Sequence, residues 1–286
     1  MVDIALPEID YTRYSNRQLA AVPLAVLGVA LVIILGWYVV TGAPVSPGIE
    51  FTGGTEVEIA TTDSPDQIRS TLEGFDIASL QPVAGSDSYV LTTQSTANEL
   101  IRTELTEAGY EPRSFAGTSA SFGAGAAQTT LLALGVAFLG MSILIFLLFR
   151  SFIPSIAVVA SAFSDLVIPV AFMNVFGIRM TLGTVAALLM LIGYSVDSDV
   201  LLNNHILRRS GGFYESTYRA MRTGVTMTLT SISAMTVMAI VAYLFAIPLM
   251  PQIGLILVVG LATDLMNTYL LNLSLLRWYK YEGASR

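Results

Sequence analysis

Residues 181–206 read TLGTVAALLMLIGYSVDSDVLLNNHI. The stretch is long and apolar enough to cross a bilayer as a helix, which takes about 20 residues. Its second half nevertheless carries Asp197 and Asp199. A carboxylate on a membrane helix cannot face lipid, so this helix must pack among others. Five more stretches qualify as spans: residues 19–41, 128–149, 153–175, 225–247 and 253–276. The expectation is a polytopic α-helical membrane protein with six transmembrane helices.

Composition supports that reading. Of 286 residues, 54% are hydrophobic and 12% charged, about half the charged share of a soluble domain, and the mean hydropathy is +0.69. The charge is unevenly placed. Residues 42–125 hold twelve acids against Arg69, Arg102 and Arg113, a net of −9, while the remainder holds nine acids against eleven bases, a net of +2. This excludes a water-soluble enzyme, and it excludes a nucleic-acid binder, which would carry a basic surface. Cysteine is absent and His205 is the one histidine. Thiolate chemistry, multi-histidine metal sites and Ser-His-Asp catalysis are excluded with them. No enzyme activity, metal or cofactor is expected. Thirteen Arg against the single Lys280, with the acidic segment, suggest adaptation to high salt.

Loop charge sets the orientation. Arg13, Arg17, Arg150, Arg208, Arg209, Arg219, Arg222, Arg277, Lys280 and Arg286 fall on one side of six spans, and Arg179 alone falls in the short loops of the other. Residues 1–18 and 277–286 are therefore expected in the cytoplasm, and residues 42–127 outside. The first span is too long for a signal-peptide core, ends in Trp37-Tyr38 like an interfacial anchor, and reads as retained.

Residues 42–127 read as a small α+β domain. Glu56–Ala60 alternates as a strand does, and Ser88–Thr93 reads as a strand. Ser64-Pro65-Asp66-Gln67 and Thr96-Ala97-Asn98-Glu99 have capping-box spacing, the second leading a helix that stops at Gly109. Pro112–Phe115 starts a closing strand. The order is βαββαβ-like, compatible with a ferredoxin-like domain, and suits binding or conformational work.

The spans carry the chemistry. Asp165 lies near mid-membrane in span 3, Asp197 and Asp199 in span 4, and Asp264 in span 6. By helical spacing, Asp199 shares a face with Ser195 and Asn203; Asp197 aligns with Gly193 and Leu201, then Asn204 and His205; Asp264 continues through Asn267, Thr268 and Asn272. Span 5 adds Thr226, Thr230 and Ser233, a spacing that also suits helix packing. The ion or proton relay candidates are Asp165, Asp197, Asp199, His205 and Asp264.

Two segments carry a resemblance. Gly48-Ile49-Glu50-Phe51-Thr52-Gly53-Gly54-Thr55 follows span 1, and Tyr194–Ile206 occupies span 4. They resemble the SecF branch of the SecD/SecF protein-export family, in the RND transporter superfamily, whose exterior domain starts G-[IL]-D-F-x-G-G-[TS]. Glu50 replaces the usual Asp. In span 4, SecF-type chains resemble Y-S-[IV]-N-D-T-V-V-V-F-D-R-I and SecD-type chains carry V-D-x-N-V-L. Asp197 stands where the SecD type has its membrane Asp, and His205 where bacterial SecF chains have an Arg associated with proton coupling. Asp165 stands at the SecF span 3 carboxylate, in Phe163-Ser164-Asp165-Leu166, and Arg222-Thr223-Gly224 and Ala242–Phe245 match the connector and span 5. The departures and the low-Lys acidic composition point to an archaeal, halophile-like type.

The resemblance implies a multi-pass cell-membrane subunit that works with a SecD-like subunit and a SecY-type channel. It would promote movement of an exported polypeptide across the lipid bilayer, using the proton or ion gradient. Neutralising Asp165, with Asp197 or Asp199, would favour a different packing of the spans. Two alternatives stand beside it: an RND-type small-molecule efflux half-transporter, and a non-transporting assembly scaffold. Against the first, residues 248–252 leave no room for a second large exterior loop.

Overall fold

The computed structural model describes residues 10–83, 86–208, 212–245, 247 and 249–283. Helix α1 (Asn16–Thr41) starts at a full capping box, with Ser15 and Gln18 exchanging hydrogen bonds, and stops at Gly42, whose φ of 76° is left-handed. The chain then builds α2 (Ile49–Thr52), β1 (Gly54–Ala60), α3 (Pro65–Thr71), β2 (Ser79–Pro82), β3 (Ser88–Thr93), α4 (Asn98–Glu107) and β4 (Glu111–Thr118). Long helices follow: α5 (Ala120–Phe149), α6 (Phe152–Val175), α7 (Leu182–Arg208), α8 (Phe213–Leu244) and α9 (Met250–Met266). The last span continues through a π-helical stretch, Asn267–Asn272, into α10 (Leu273–Trp278).

Among the described residues six helices are long and apolar enough to cross a membrane. They divide by burial. The apolar windows of α6, α7 and the α9–α10 span are 50%, 44% and 56% buried, against 17%, 6% and 17% for α1, α5 and α8. The first three are therefore the inner bundle, and the others turn apolar faces such as Val39, Leu131 and Val237 outward, as a protein solvated by lipid tails does. Helix α8 begins at Phe213, well before the apolar stretch from 225. Its early turns are polar on one side, with a Glu215–Arg219 pair, yet bury Phe213, Thr217 and Ala220. A search for apolar length misses such a start.

The inserted domain is a four-stranded antiparallel sheet of order β2-β3-β1-β4, the ferredoxin-like arrangement. Val57, Ile59 and Leu91 from the sheet meet Ile68 of α3, Leu72 just after it, and Ile101 and Leu105 of α4. The Ser64–Gln67 capping box forms. The Thr96 box does not: α4 starts at Asn98 behind Ala97, which makes no side-chain cap. Asn98 accepts a hydrogen bond from the Thr55 hydroxyl at 3.0 Å, which ties the start of α4 to β1.

Candidate functional site

Three of the five relay candidates meet. Asp165 of α6, Asp199 of α7 and Asp264 of α9 are 1%, 0% and 1% exposed. Ser195 of α7 donates to Asp165 Oδ2 at 2.6 Å, and Asn267 donates to its Oδ1 at 2.6 Å. Asp199 Oδ1 accepts from Thr268 and from Asn272, each at 2.8 Å. Ser198 donates to Asp264, 2.7 and 2.9 Å from its two oxygens, and Thr268 also reaches Asp264 Oδ1 at 3.4 Å. Two hydrogen-bond groups result, Asp165 with Ser195 and Asn267, and Asp199 with Asp264 through Thr268; they adjoin where Ser198 Oγ also reaches the Ser195 carbonyl at 2.9 Å.

Local backbone geometry makes this possible. Ser195 and Asp199 are one helical turn apart on α7, so both look inward. Asn267, Thr268 and Asn272 all lie in the π-helical stretch. There the wider turn offsets the side chains from α-helical spacing, and such bulges are frequent at functional sites. Helices α7 and α9 also approach closely: a Cβ at Gly260 would stand 2.3 Å from a Leu191 methyl.

Every donor named above is a neutral hydroxyl or amide. Among the described residues, neither ion pair includes any of the three carboxylates. Among the described residues, Asp199 Oδ2, Asn267 Oδ1 and Asn272 Oδ1 are buried acceptors without a donor, and the Ser164 hydroxyl of α6 is buried without a partner; the Ser161 hydroxyl lies near the Asp199 carboxylate. The oxygens do not converge as metal ligands do; among the described residues no group of three or more His, Cys, Asp or Glu is disposed to hold a metal ion. A proton placed on an unpaired carboxylate oxygen converts an acceptor into a donor, which is the chemistry such a surplus of acceptors invites.

The other two candidates stay outside. Asp197 is exposed and lines a cavity of about 330 Å³ with Tyr194, Ser198, Asn204 and Thr228. His205 is buried, with Nδ1 2.8 Å from the Leu201 carbonyl of its own helix. Asn203 turns its amide toward the Pro154 carbonyl at 3.4 Å. Thr226, Thr230 and Ser233 are exposed and return their hydroxyls to the carbonyls four residues back, so span 5 adds nothing to the network. Ser198, and Ser161 four residues before Asp165, were not singled out by the sequence reading. Their only signal is helical spacing around the carboxylates.

The Gly48–Thr55 motif forms a joint between the inserted domain and the bundle. Gly48 N–H donates to the Met180 carbonyl at 2.7 Å, and Met180 N–H to the Ser46 carbonyl at 2.8 Å, pairing the motif's entrance with the α6–α7 loop. Glu50 and Phe51 sit in the single turn of α2, with Phe51 buried. Gly53 and Gly54 follow at φ 79° and 132°, conformations that favour glycine. Gly123 of α5 packs on this turn, where a Cβ would lie 2.8 Å from Gly53 N and the Phe51 carbonyl carbon. Arg179, in the α6–α7 loop, donates to the Ala78 carbonyl beside β2 at 2.7 Å. Burial pushes the Glu50 and Glu56 carboxyls up, with Arg179 partly offsetting this at Glu56.

Comparison with known proteins gives a consistent result. The family described as protein export membrane protein SecD/SecF, C-terminal, matches residues 100–282. The chain is 64% identical to a protein-export membrane protein SecF of Haloferax volcanii, with 100% of both chains covered. It is 59% identical to one of Haloquadratum walsbyi, again over 100% of both, and 38% identical to one of Pyrococcus furiosus over 97% of this chain and 99% of that one. The crystal structure of SecDF, a translocon-associated membrane protein of Thermus thermophilus, superposes with a TM-score of 0.75 at 17% identity. It covers 96% of this chain, which spans 39% of that one; the likeness concerns fold.

Proposed function

The chain belongs to the SecF branch of the SecD/SecF protein-export membrane proteins, non-enzymatic accessory subunits of protein export, and from that premise we propose that its Asp165–Asp199–Asp264 cluster is the switch that couples export to an ion gradient. The observation that carries this is the clustering: three carboxylates buried in the inner bundle, all held by neutral donors from α7 and the π-helical stretch. Three negative charges in such a place are costly without positive charge to offset them. Proton uptake supplies it and alters the network, because Ser195, Ser198 and Thr268 can donate to an ionised oxygen or accept from a protonated one.

The switch acts on packing. Asp165 is on α6, Asp199 on α7 and Asp264 on α9, so a change in charge re-weights contacts among all three inner helices. One charge crossing a potential of 100 mV is worth about 2.3 kcal/mol, enough to bias a two-state rearrangement. Helices α6 and α7 meet in the loop that carries Met180 and Arg179, and this loop holds the inserted domain. The movement would reach that domain and, through it, a polypeptide emerging from a SecY-type channel. A SecD-like subunit is the working partner. The count of ten bases against Arg179 supports cytoplasmic termini and an extracellular segment 42–127; of those ten, Arg209 and Arg286 lie outside the described residues. Asp197 and His205 are proposed as peripheral to the switch.

The test is export of a Sec-dependent reporter in cells depleted of this protein and complemented with wild type, Asp165→Asn or Asp199→Asn. Membrane abundance and association with the SecD-like subunit are followed in parallel. Normal assembly with accumulated precursor is expected. Full export by both variants would sink the switch and favour the scaffold reading. Collapsing the proton gradient at constant sodium then separates proton from sodium coupling.

A further inference from the structure

At the bundle end where α1 begins, α10 finishes beside the first turn of that helix. Arg277, in the last turn of α10, is 9% exposed. Its guanidinium donates to Asn16 Oδ1, to the Tyr11 carbonyl at 2.9 Å and to the Tyr14 carbonyl at 2.7 Å. All three acceptors are neutral, and among the described residues no carboxylate lies within ion-pairing distance of it. These oxygens take three of the five guanidinium N–H groups and, among the described residues, leave the buried positive charge without a counter-charge.

A cavity of about 810 Å³ opens against this guanidinium, lined by Arg277, Arg17, Tyr214, Trp278 and Tyr281, with Ser15 and Asn16 at its edge. Arg17 is exposed and, among the described residues, forms no ion pair. Among the described residues the lining therefore offers two guanidinium groups, three aromatic rings with polar tips, and no acid. Its place matters as much as its charge. The cavity sits where the apolar spans α1 and α9–α10 end, and Trp278 and Tyr281 stand 42% and 57% exposed there. Tyr and Trp gather at this depth because their rings suit the boundary between tails and headgroups, and basic pockets between span ends take anionic headgroups.

We propose that this cavity is a binding site for the phosphate-bearing headgroup of an anionic membrane lipid. Arg277 and Arg17 supply the charge, and the rings of Trp278, Tyr281 and Tyr214 pack against the glycerol region. The occupied site would brace the first turn of α1 against α10, across the contact that Arg277 already makes.

The chain has two tryptophans, Trp37 and Trp278, so a Trp37→Phe background leaves Trp278 as sole reporter. The full chain in that background is reconstituted in phosphatidylcholine vesicles containing a minor fraction of brominated phosphatidylglycerol or brominated phosphatidylcholine, at fixed salt. Trp278 emission is expected to be quenched preferentially by the anionic lipid. Arg17→Gln, at an exposed position, should weaken that preference about fivefold. Equal quenching by the two lipids overturns the proposal, as does a preference that Arg17→Gln leaves unchanged. In unbrominated phosphatidylcholine vesicles, inorganic phosphate should leave Trp278 emission unaltered; a saturable change that Arg17→Gln abolishes would assign the cavity to a free anion instead.

Discussion

Ser195 Oγ on α7 stands 2.6 Å from Asp165 Oδ2 on α6, so the span 4 motif touches the span 3 carboxylate directly. One turn further along α7, Asp199 takes its donors from the π-helical stretch that follows α9. The charge on Asp165 is therefore felt by the helix that carries the second carboxylate and by the stretch that holds it.

Ser195→Ala leaves Asp165 with Asn267 as its donor. Loss of one hydrogen bond to a buried carboxylate should cost about 1–3 kcal/mol, read as a lower thermal midpoint of the full chain in detergent. Ser195→Thr keeps the hydroxyl and should recover most of it. An unchanged midpoint in the alanine variant would mean that Asp165 is held from elsewhere.

Gly123 packs against the backbone of the Gly48–Thr55 motif, and a Cβ there would meet three backbone atoms at under 3.0 Å. Gly123→Val should cost about 1–3 kcal/mol through overpacking and loosen the joint. Limited proteolysis should then cut faster between α1 and α5. Gly125→Ala, where a Cβ meets nothing within 4 Å, serves as the silent comparison; equal cleavage of both variants would contradict the contact.

Arg179→Ala removes the hydrogen bond to the Ala78 carbonyl and the positive charge beside Glu56. A hydrogen bond with a charged donor is worth about 1.5–3 kcal/mol, so the inserted domain should sample a wider range of positions. Distances between spin labels on α4 and on the far end of α5 should broaden. A distribution matching wild type would show that the joint holds without this arginine.

Docking of that domain should strengthen in mild acid. Burial raises the Glu50 and Glu56 carboxyls in the folded joint, so the docked state binds more protons than the undocked one. Docking is then strongest at low pH and is lost progressively as pH rises through the folded-state values. Protease protection of the joint should fall in wild type as pH rises from acid through the raised folded-state values. In the Glu50→Gln, Glu56→Gln double variant it should flatten; a slope retained in that variant would point to other groups.

Much of the architecture was legible because it rests on local regularities. Six apolar stretches fixed the spans, alternation marked the central strand Glu56–Ala60, and Ser88–Thr93 also read as a strand. Strand β2, at Ser79–Pro82, escaped notice because its four residues, half of them exposed, carry no alternating pattern. The Thr96 spacing misled because α4 starts behind Ala97, one residue past Thr96, with Asn98 tied to β1 by the Thr55 hydroxyl.

The site was only partly legible. The sequence by itself determined that α7 must bury a carboxylate, since Asp197 and Asp199 sit on an apolar span. Residues two apart on a helix point about 200° apart at 3.6 residues per turn, so one of the pair was bound to face inward while the other faced away. Tertiary structure decided which. The rotation of α7 is set by close packing such as Leu191 against Gly260, and it buries Asp199 while leaving Asp197 exposed. The π-helical stretch was equally hidden: it turns Asn267, Thr268 and Asn272 together onto Asp165 and Asp199. Its register comes from contacts between helices, which a one-dimensional pattern of residues does not encode.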